Sequence, residues 1–329
     1  MSKIVRIIFI LILVFFIYFR ETKKHELFEK TERSEKLMDT IVYIQVYGDP
    51  EIASRALDAA FKRMRSVEEI ASFHLPKSEL NLLNVNREIV PSASFSEILE
   101  LSSKSVKLTE GRFDPTFAVF HKAYGFYGGT PRLPNEAEIT ELKRFIGWNR
   151  VISQEGNKVR IASGALLDLS GIAGGFAEAA AAEELRKASV KGFIIDDGGD
   201  LYMEGEKGDG SPWKVGVRDP RNESFMAVVE TFSPNAISTS GDYERYVEID
   251  GKRYHHIFDV STGRPAPWYK SVTVIASDPR DAEIQTKWVF TLPPEEAKKL
   301  CNEKNLPVLV FPATGAIWVS EEGKNFFQQ

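Results

Sequence analysis

Asp168-Leu169-Ser170-Gly171-Ile172-Ala173-Gly174-Gly175-Phe176-Ala177 sets an acidic residue, a run of glycines and the approach to a helix-favouring segment in one stretch. Glycines admit a ligand close to the backbone, and the first N–H groups of a helix are free to hold an anion. The chemistry suggested is the gripping of a phosphate-containing ligand. The stretch fits neither the dinucleotide-binding glycine fingerprint nor the phosphate-binding lysine loop, since no Gly-Lys-Ser/Thr follows. A plain strand-to-helix turn, with glycines for tight packing, explains it equally well. Histidine supplies the second chemical element. Asp250-Gly251 is a preferred two-residue turn inside an alternating segment from Tyr243 to Phe258. Such a turn fixes register, so Ile249 faces Lys252, Val247 faces Tyr254 and Arg245 faces His256. His256 then shares a side with Val247, Ile249 and Tyr254. His255 shares the other, expected to be the solvent side, with Glu248 and Arg253. Of the two, His256 is the one to carry acid–base chemistry. A half-buried structural histidine is the other reading, and the pattern alone favours neither.

Around these residues the chain alternates between strand-like and helix-like segments. Met38 to Tyr47 has period-two alternation and predicts a strand, and Glu51 to Phe73 has helical spacing. Ser94 to Thr109 and Asn135 to Phe145 predict further helices, and Val151 to Ile161 two short strands. Ala165-Leu166-Leu167 leads into the glycine stretch as a strand-like run, and Glu178 to Ala188 follows as helix. Gly192 to Ile195 predicts a buried strand ending in Asp196-Asp197-Gly198-Gly199-Asp200. Trp213 to Val217, Ala227 to Thr231 and Ser271 to Ala276 are further strands, Asp281 to Leu292 and Pro294 to Lys304 helices. Leu306 to Phe311 and Ala316 to Val319 close the chain as a hairpin. Strands and helices do not alternate strictly, so the expected class is α+β, with a mixed β-sheet core and packed helices.

The 329 residues are 43% hydrophobic and 27% charged, enough for a folded body with a sizeable core. A net charge of −5 without a long basic block excludes nucleic acid as a partner. One cysteine, Cys301, excludes an intramolecular disulfide and a cysteine-rich metal centre. Ile7 to Phe19 is an unbroken apolar run flanked by Lys3, Arg6, Arg20, Lys23 and Lys24. No small-residue cleavage site follows, so residues 1–20 read as an uncleaved membrane anchor and residues 21–36 as a charged tether. Residues 37–329 are the folded domain.

From Met38 to about Val310 the order and spacing of motifs resemble the ApbE family of flavin transferases. The pieces are Met38-Asp39-Thr40, Ser72-Phe73 with Ser78-Glu79-Leu80, Gly111-Arg112-Phe113-Asp114, Asp168 to Ala177, and Gly198-Gly199-Asp200. Trp213 to Pro220, Ser238-Thr239-Ser240-Gly241-Asp242-Tyr243-Glu244-Arg245, His256-Ile257-Phe258-Asp259 and Thr262-Gly263-Arg264-Pro265 complete them. The resemblance implies cleavage of the FAD pyrophosphate and transfer of FMN to a threonine or serine of an acceptor protein, with AMP released. It implies a flavoprotein subunit of a membrane electron-transport complex as acceptor, met on the extracytoplasmic side. FAD contacts would fall on Met38, Phe73, Arg112, Phe113, Asp114, Asp168, Gly174 and the backbone near Ile257, with His256 as base. Mg²⁺ would take Gly171 through its backbone oxygen, together with Glu283, Thr286 and Lys287. Here the sequence departs from the family, which carries aspartate at Glu283, threonine at Lys287 and lysine at Gly174. A cationic ammonium cannot ligate Mg²⁺. Three readings stay open. Glu283 and Thr286 hold the metal with Lys287 aside, or Lys287 itself supplies the charge, or the protein binds flavin without transferring it or hydrolyses FAD.

Overall fold

Leu37 pairs with Thr40 across a two-residue turn in which Met38 and Asp39 both take positive φ, 53° and 64°. That is the twist-matched hairpin turn, usually given to glycine or asparagine. The computed structural model describes residues 28–328 apart from positions 223 and 233. The expected anchor therefore lies outside the described residues, as do the first residues of the expected tether. From Glu29 the tether reading is corrected: Glu29–Leu37 is strand β1, the first arm of this hairpin, and Thr40–Gly48 is β2. β1 reads as a linker because its residues are mostly charged and exposed. Arg33 and Glu35 nevertheless pair with Asp58 and Arg65 of the following helix and fasten the strand down.

Helix α1 (Pro50–Ala71) starts at Asp49, whose side chain accepts from the Glu51 and Ile52 amides. Its apolar residues recur at three- and four-residue spacing, and Leu57, Ala60, Phe61, Met64 and Val67 are fully buried. Then come α2 (Glu79–Asn86), β3 (Glu88–Ile89), α3 (Ala93–Leu108), α4 (Ala118–Tyr124), α5 (Glu136–Leu142) and α6 (Trp148–Val151). Strands β4 (Ile152–Glu155) and β5 (Lys158–Ile161) form a small sheet with β3. Helix α7 (Ser170–Lys187) leads to β6 (Gly192–Asp197) and β7 (Asp200–Gly205). Next are β8 (Trp213–Arg218), β9 (Phe225–Thr231), β10 (Asn235–Gly241), and the hairpin β11 (Tyr246–Ile249) with β12 (Lys252–His255). After short β13 (Phe258–Asp259) and β14 (Arg264–Pro265), β15 (Tyr269–Ala276) enters α8 (Pro279–Phe290) and α9 (Pro294–Lys304). β16 (Val308–Pro312), β17 (Trp318–Val319) and β18 (Phe327–Gln328) follow.

The main sheet has eight strands in the order β1-β2-β6-β7-β10-β15-β16-β17, every ladder antiparallel. The expected α+β class stands, but the sheet is antiparallel rather than mixed. The helices between β2 and β6 return the chain in the opposite direction instead of making a parallel crossover. Val42, Ile44 and Val46 of β2 form one core with Leu57 and Phe61 of α1 and Ala177 and Ala181 of α7. Each large side chain so buried contributes about 1.5–3 kcal/mol. Ile237, Ile275 and Leu309 form a second core with Trp213, Val217 and Val229 of the small sheet β18-β9-β8. The main sheet is thus covered by helices on one side and by a second sheet on the other.

Candidate functional site

The glycine stretch is not a turn. Helix α7 already begins at Ser170, so Gly171, Gly174 and Gly175 lie inside its first two turns. Glycine is a poor helix former, and the reason it stands here is helix α8. A Cβ on Gly175 would lie 2.6 Å from the Pro279 carbonyl oxygen. The close crossing lets the Gly175 amide donate to Glu283 Oε2 of α8 at 2.9 Å. At the start of α7 the Ser170 amide donates to Asp168 Oδ1 at 2.8 Å, and the Tyr127 hydroxyl donates to the other carboxylate oxygen.

These helices form one wall of a cleft of about 1250 Å³. It is lined by Met38, Phe73, Arg112, Phe113, Asp114, Asp168, Gly171, Gly174, His256, Ile257, Glu283 and Lys287. The structure therefore brings together twelve of the thirteen residues singled out in the sequence. Thr286 lies behind the wall, fully buried, accepting from the Ser240 hydroxyl at 2.9 Å and donating to the Glu283 carbonyl at 2.8 Å.

Lining the cleft is not the same as being free to bind. Asp114 Oδ1 accepts from the Thr116 amide and hydroxyl at 2.9 and 2.6 Å, and Oδ2 from the Trp148 amide at 2.9 Å. Its carboxylate holds the backbone that carries Arg112 and Phe113. Ile257 is similarly engaged: its amide donates to His255 Nδ1, and its carbonyl accepts from Ala266. Arg112 lies near Asp259 and Glu296, at 3.6 and 3.5 Å. Phe73, which lines the cleft, stacks on Tyr127 with ring centroids 4.0 Å apart. The Met38 amide donates to Glu68 Oε1 at 2.8 Å, anchoring the left-handed turn where it meets the cleft.

The β11–β12 hairpin has the register expected, with Ile249 opposite Lys252 and Val247 opposite Tyr254. His256 follows directly, and its Nδ1 lies 3.0 Å from the Arg245 carbonyl oxygen. A carbonyl only accepts, so the neutral ring carries its proton on Nδ1 and keeps a lone pair on Nε2. Burial, and then the neighbouring His121, hold the His256 pKa well below its ordinary value. His255, expected to face solvent, is instead half-buried: its Nε2 contacts the Ala266 carbonyl at 3.0 Å and its ring packs edge-on to Phe290. The hairpin rests its outer side on the body of the protein, which no local pattern records.

Two groups were not given a role from the sequence. His121 Nε2 donates to the His256 carbonyl at 2.7 Å, and His121 Nδ1 lies 3.1 Å from the Tyr127 hydroxyl. The network Asp168–Tyr127–His121 thus ties the start of α7 to the histidine segment. Its only trace in the sequence is the aromatic-rich segment reaching Tyr127. The second group is a carboxylate cluster under the cleft. Burial and the neighbouring acids push Asp197 up to about 7 and Asp200 up to about 6, with Lys287 opposing the rise at Asp200. Glu178, 2% exposed, is raised well above the usual carboxylate range for the same reasons. Lys287 Nζ sits 3.2 Å from both Glu283 Oε1 and the Glu283 carbonyl.

A large, half-polar cleft beside a helix N-terminus, on an antiparallel α+β scaffold, has the room and the chemistry for a large phosphate-bearing ligand. Comparison with known proteins narrows this class. The chain belongs to the ApbE family, whose sequence profile matches residues 38–310. The FAD:protein FMN transferase of Haemophilus influenzae is 27% identical over 310 residues, covering 89% of this chain and 89% of that protein. The FAD:protein FMN transferase of Vibrio cholerae is 28% identical over 297 residues, covering 87% and 88%. The crystal structure of the ApbE protein from Thermotoga maritima superposes with a TM-score of 0.85 at 29% identity, covering 92% of this chain and all of that one. The family expected from the motifs is the family found.

Proposed function

We propose that this chain is an FAD:protein FMN transferase. The observation that carries the reading is the pairing, across one cleft large enough for a dinucleotide, of a neutral histidine with a helix N-terminus and an ammonium. Phe73, backed by Tyr127, offers a surface for a flat ring, and the start of α7 faces the phosphates. In the reaction, a threonine or serine hydroxyl oxygen of the acceptor attacks the FMN phosphorus. The new O–P bond forms as the pyrophosphate P–O bond breaks, AMP leaves with the bonding pair, and the hydroxyl proton passes to His256 Nε2. His256 suits that role because it is neutral, its protonated side is held by Arg245, and its free nitrogen is the basic one.

Magnesium, expected on Gly171, Glu283, Thr286 and Lys287, does not fit these side chains as they lie. The Lys287 ammonium sits against the Glu283 carboxylate, Glu283 Oε2 accepts from Gly175, and the Thr286 hydroxyl is engaged on both sides.

The acceptor in this reading is an exported flavoprotein subunit of a membrane electron-transport complex, and the domain works on the extracytoplasmic side. The apolar run from Ile7 to Phe19, with its charged flanks, supports membrane anchorage. Among the described residues no helix is long and apolar enough to cross a membrane. The test is to mix the purified chain with FAD and an acceptor flavoprotein. Flavin fluorescence on the denatured acceptor, together with AMP release, is the expected result. FAD bound without labelled acceptor, or AMP released without it, overturns the reading.

A further inference from the structure

The floor of the cleft gathers more carboxyl groups than cationic ones. Asp197, Asp200, Glu178 and Glu283 gather there, and Lys287 is the ammonium set among them. Its stem lies across Gly171: a Cβ there would be 3.3 Å from Lys287 Cε and 3.0 Å from the Phe113 ring. Glycine at this position leaves the lysine its channel along the first turn of α7. The side chain is 19% exposed and that of its partner Glu283 7%, so the pair is largely shielded from water. Ion pairs in such surroundings are screened little by salt and hold their geometry. An ammonium has three donors. Two are directed at Glu283, at its carbonyl and at Oε1. The third is left for a ligand in the cleft that both residues line.

We propose that the Lys287 ammonium, fixed by Glu283 beside the start of α7, is the cation that faces the FAD pyrophosphate, so that this protein binds and cleaves FAD without a divalent metal. The inference rests on the flavin-transfer reading and deepens it. Gly171, in the first turn of α7, and the ammonium line the same wall of the cleft, so the positive end of the helix and the cation meet the same phosphates. During transfer, charge moves onto the oxygen that leaves with AMP, and a preorganised cation nearby lowers the cost of that charge.

The experiment uses the purified full chain and follows FAD binding by quenching of flavin fluorescence, with EDTA or with Mg²⁺. Mn²⁺ binding is read separately by electron paramagnetic resonance. The expected result is an FAD Kd the same within about twofold in EDTA and Mg²⁺, and no stoichiometric Mn²⁺ binding. K287M should weaken FAD binding by about tenfold or more, near 1.4 kcal/mol, and K287R should restore most of the affinity. K287T should acquire Mn²⁺ binding. A wild-type protein that binds one Mn²⁺ tightly, or loses FAD affinity about tenfold in EDTA, overturns the proposal. So does K287M binding FAD as well as wild type while keeping its thermal midpoint. If K287M does not fold, the wild-type EDTA and Mn²⁺ measurements still decide the matter. Transfer seen only with Mg²⁺ overturns the metal-free assignment and leaves the transferase reading intact. Transfer absent under every condition, with FAD binding indifferent to EDTA and dependent on Lys287, overturns the transferase reading and supports the lysine.

Discussion

Replacing Asp114 by alanine should cost stability first and flavin affinity only as a consequence. The carboxylate is 6% exposed and accepts three hydrogen bonds, two from the backbone amides of Thr116 and Trp148 and one from the Thr116 hydroxyl. Truncation leaves both amides buried without their acceptor, at roughly 1–3 kcal/mol each. The Thr116 hydroxyl keeps the bond its oxygen accepts from Gly147 at 2.9 Å but loses the acceptor for its own proton. Against this, alanine relieves the burial that raises the Asp114 pKa. The net loss should be about 3 kcal/mol. Asparagine keeps the Thr116 bonds on its oxygen but turns an N–H₂ towards the Trp148 amide, so about 1–2 kcal/mol should be lost. Urea unfolding, followed by far-ultraviolet circular dichroism and the fluorescence of neighbouring Trp148, measures both. FAD titration of the folded variants completes the comparison. A D114A chain within about 1 kcal/mol of wild type, yet with flavin binding lost, would refute the reasoning. It would mean the carboxylate serves the ligand and its internal bonds are dispensable.

Asp197 has a folded-state pKa of about 7 against a reference of 3.8, so its proton is held by folding. Its contribution is fully present below about pH 4 and lost as pH rises through about 7. D197N should therefore match wild type at pH 4 and exceed it by about 2–4 kcal/mol at pH 8 in ligand-free chemical denaturation; equal stabilities at pH 8 would refute this. Gly175→Ala drives a methyl group to 2.6 Å from the Pro279 carbonyl oxygen, separating α7 from α8 and the Gly175 amide from Glu283. A loss of about 2 kcal/mol in unfolding free energy is expected, with weaker FAD binding. His256 has a depressed pKa, so the base should stay available as pH falls through 6.5. The kcat/KM profile for transfer should show no acid limb near 6.5, and H256A should lower it by about 10²–10⁴-fold at unchanged thermal midpoint.

Some of this could be read from the chain alone because short-range rules settle it. Asp250-Gly251 admits one hairpin register, and from that register His256 follows directly. Glu283, Thr286 and Lys287 share the predicted helix, though only the packing shows that Thr286 turns away behind the wall. What stayed hidden depends on partners far along the chain. Ser170–Gly175 looks like a turn because three glycines weaken a helix, and only α8, more than a hundred residues on, explains them: Pro279 crowds Gly175, and the Lys287 and Glu283 side chains lie against Gly171 and Gly174. Strand β1 looks like a linker because an edge strand is free to be polar on both sides, and its pairing partner sets its structure. His121 and Tyr127 carry no local signature. Their meaning lies in reaching Asp168 and the His256 carbonyl.

The acids beneath the cleft bear on how a catalytic round finishes. Hydroxyl attack on FAD converts one bridging oxygen into the terminal oxygen of a nucleotide monoester, so the departing half carries more negative charge than it did as part of the dinucleotide. Asp200 and Asp197, raised to about 6 and about 7, lose their protons only as pH climbs through that range, so the repulsion of that half from where it was made grows from pH 6 to pH 8, with a single lysine to offset it. Turnover on this scaffold should therefore be slowed less by accumulating AMP at pH 8 than at pH 6.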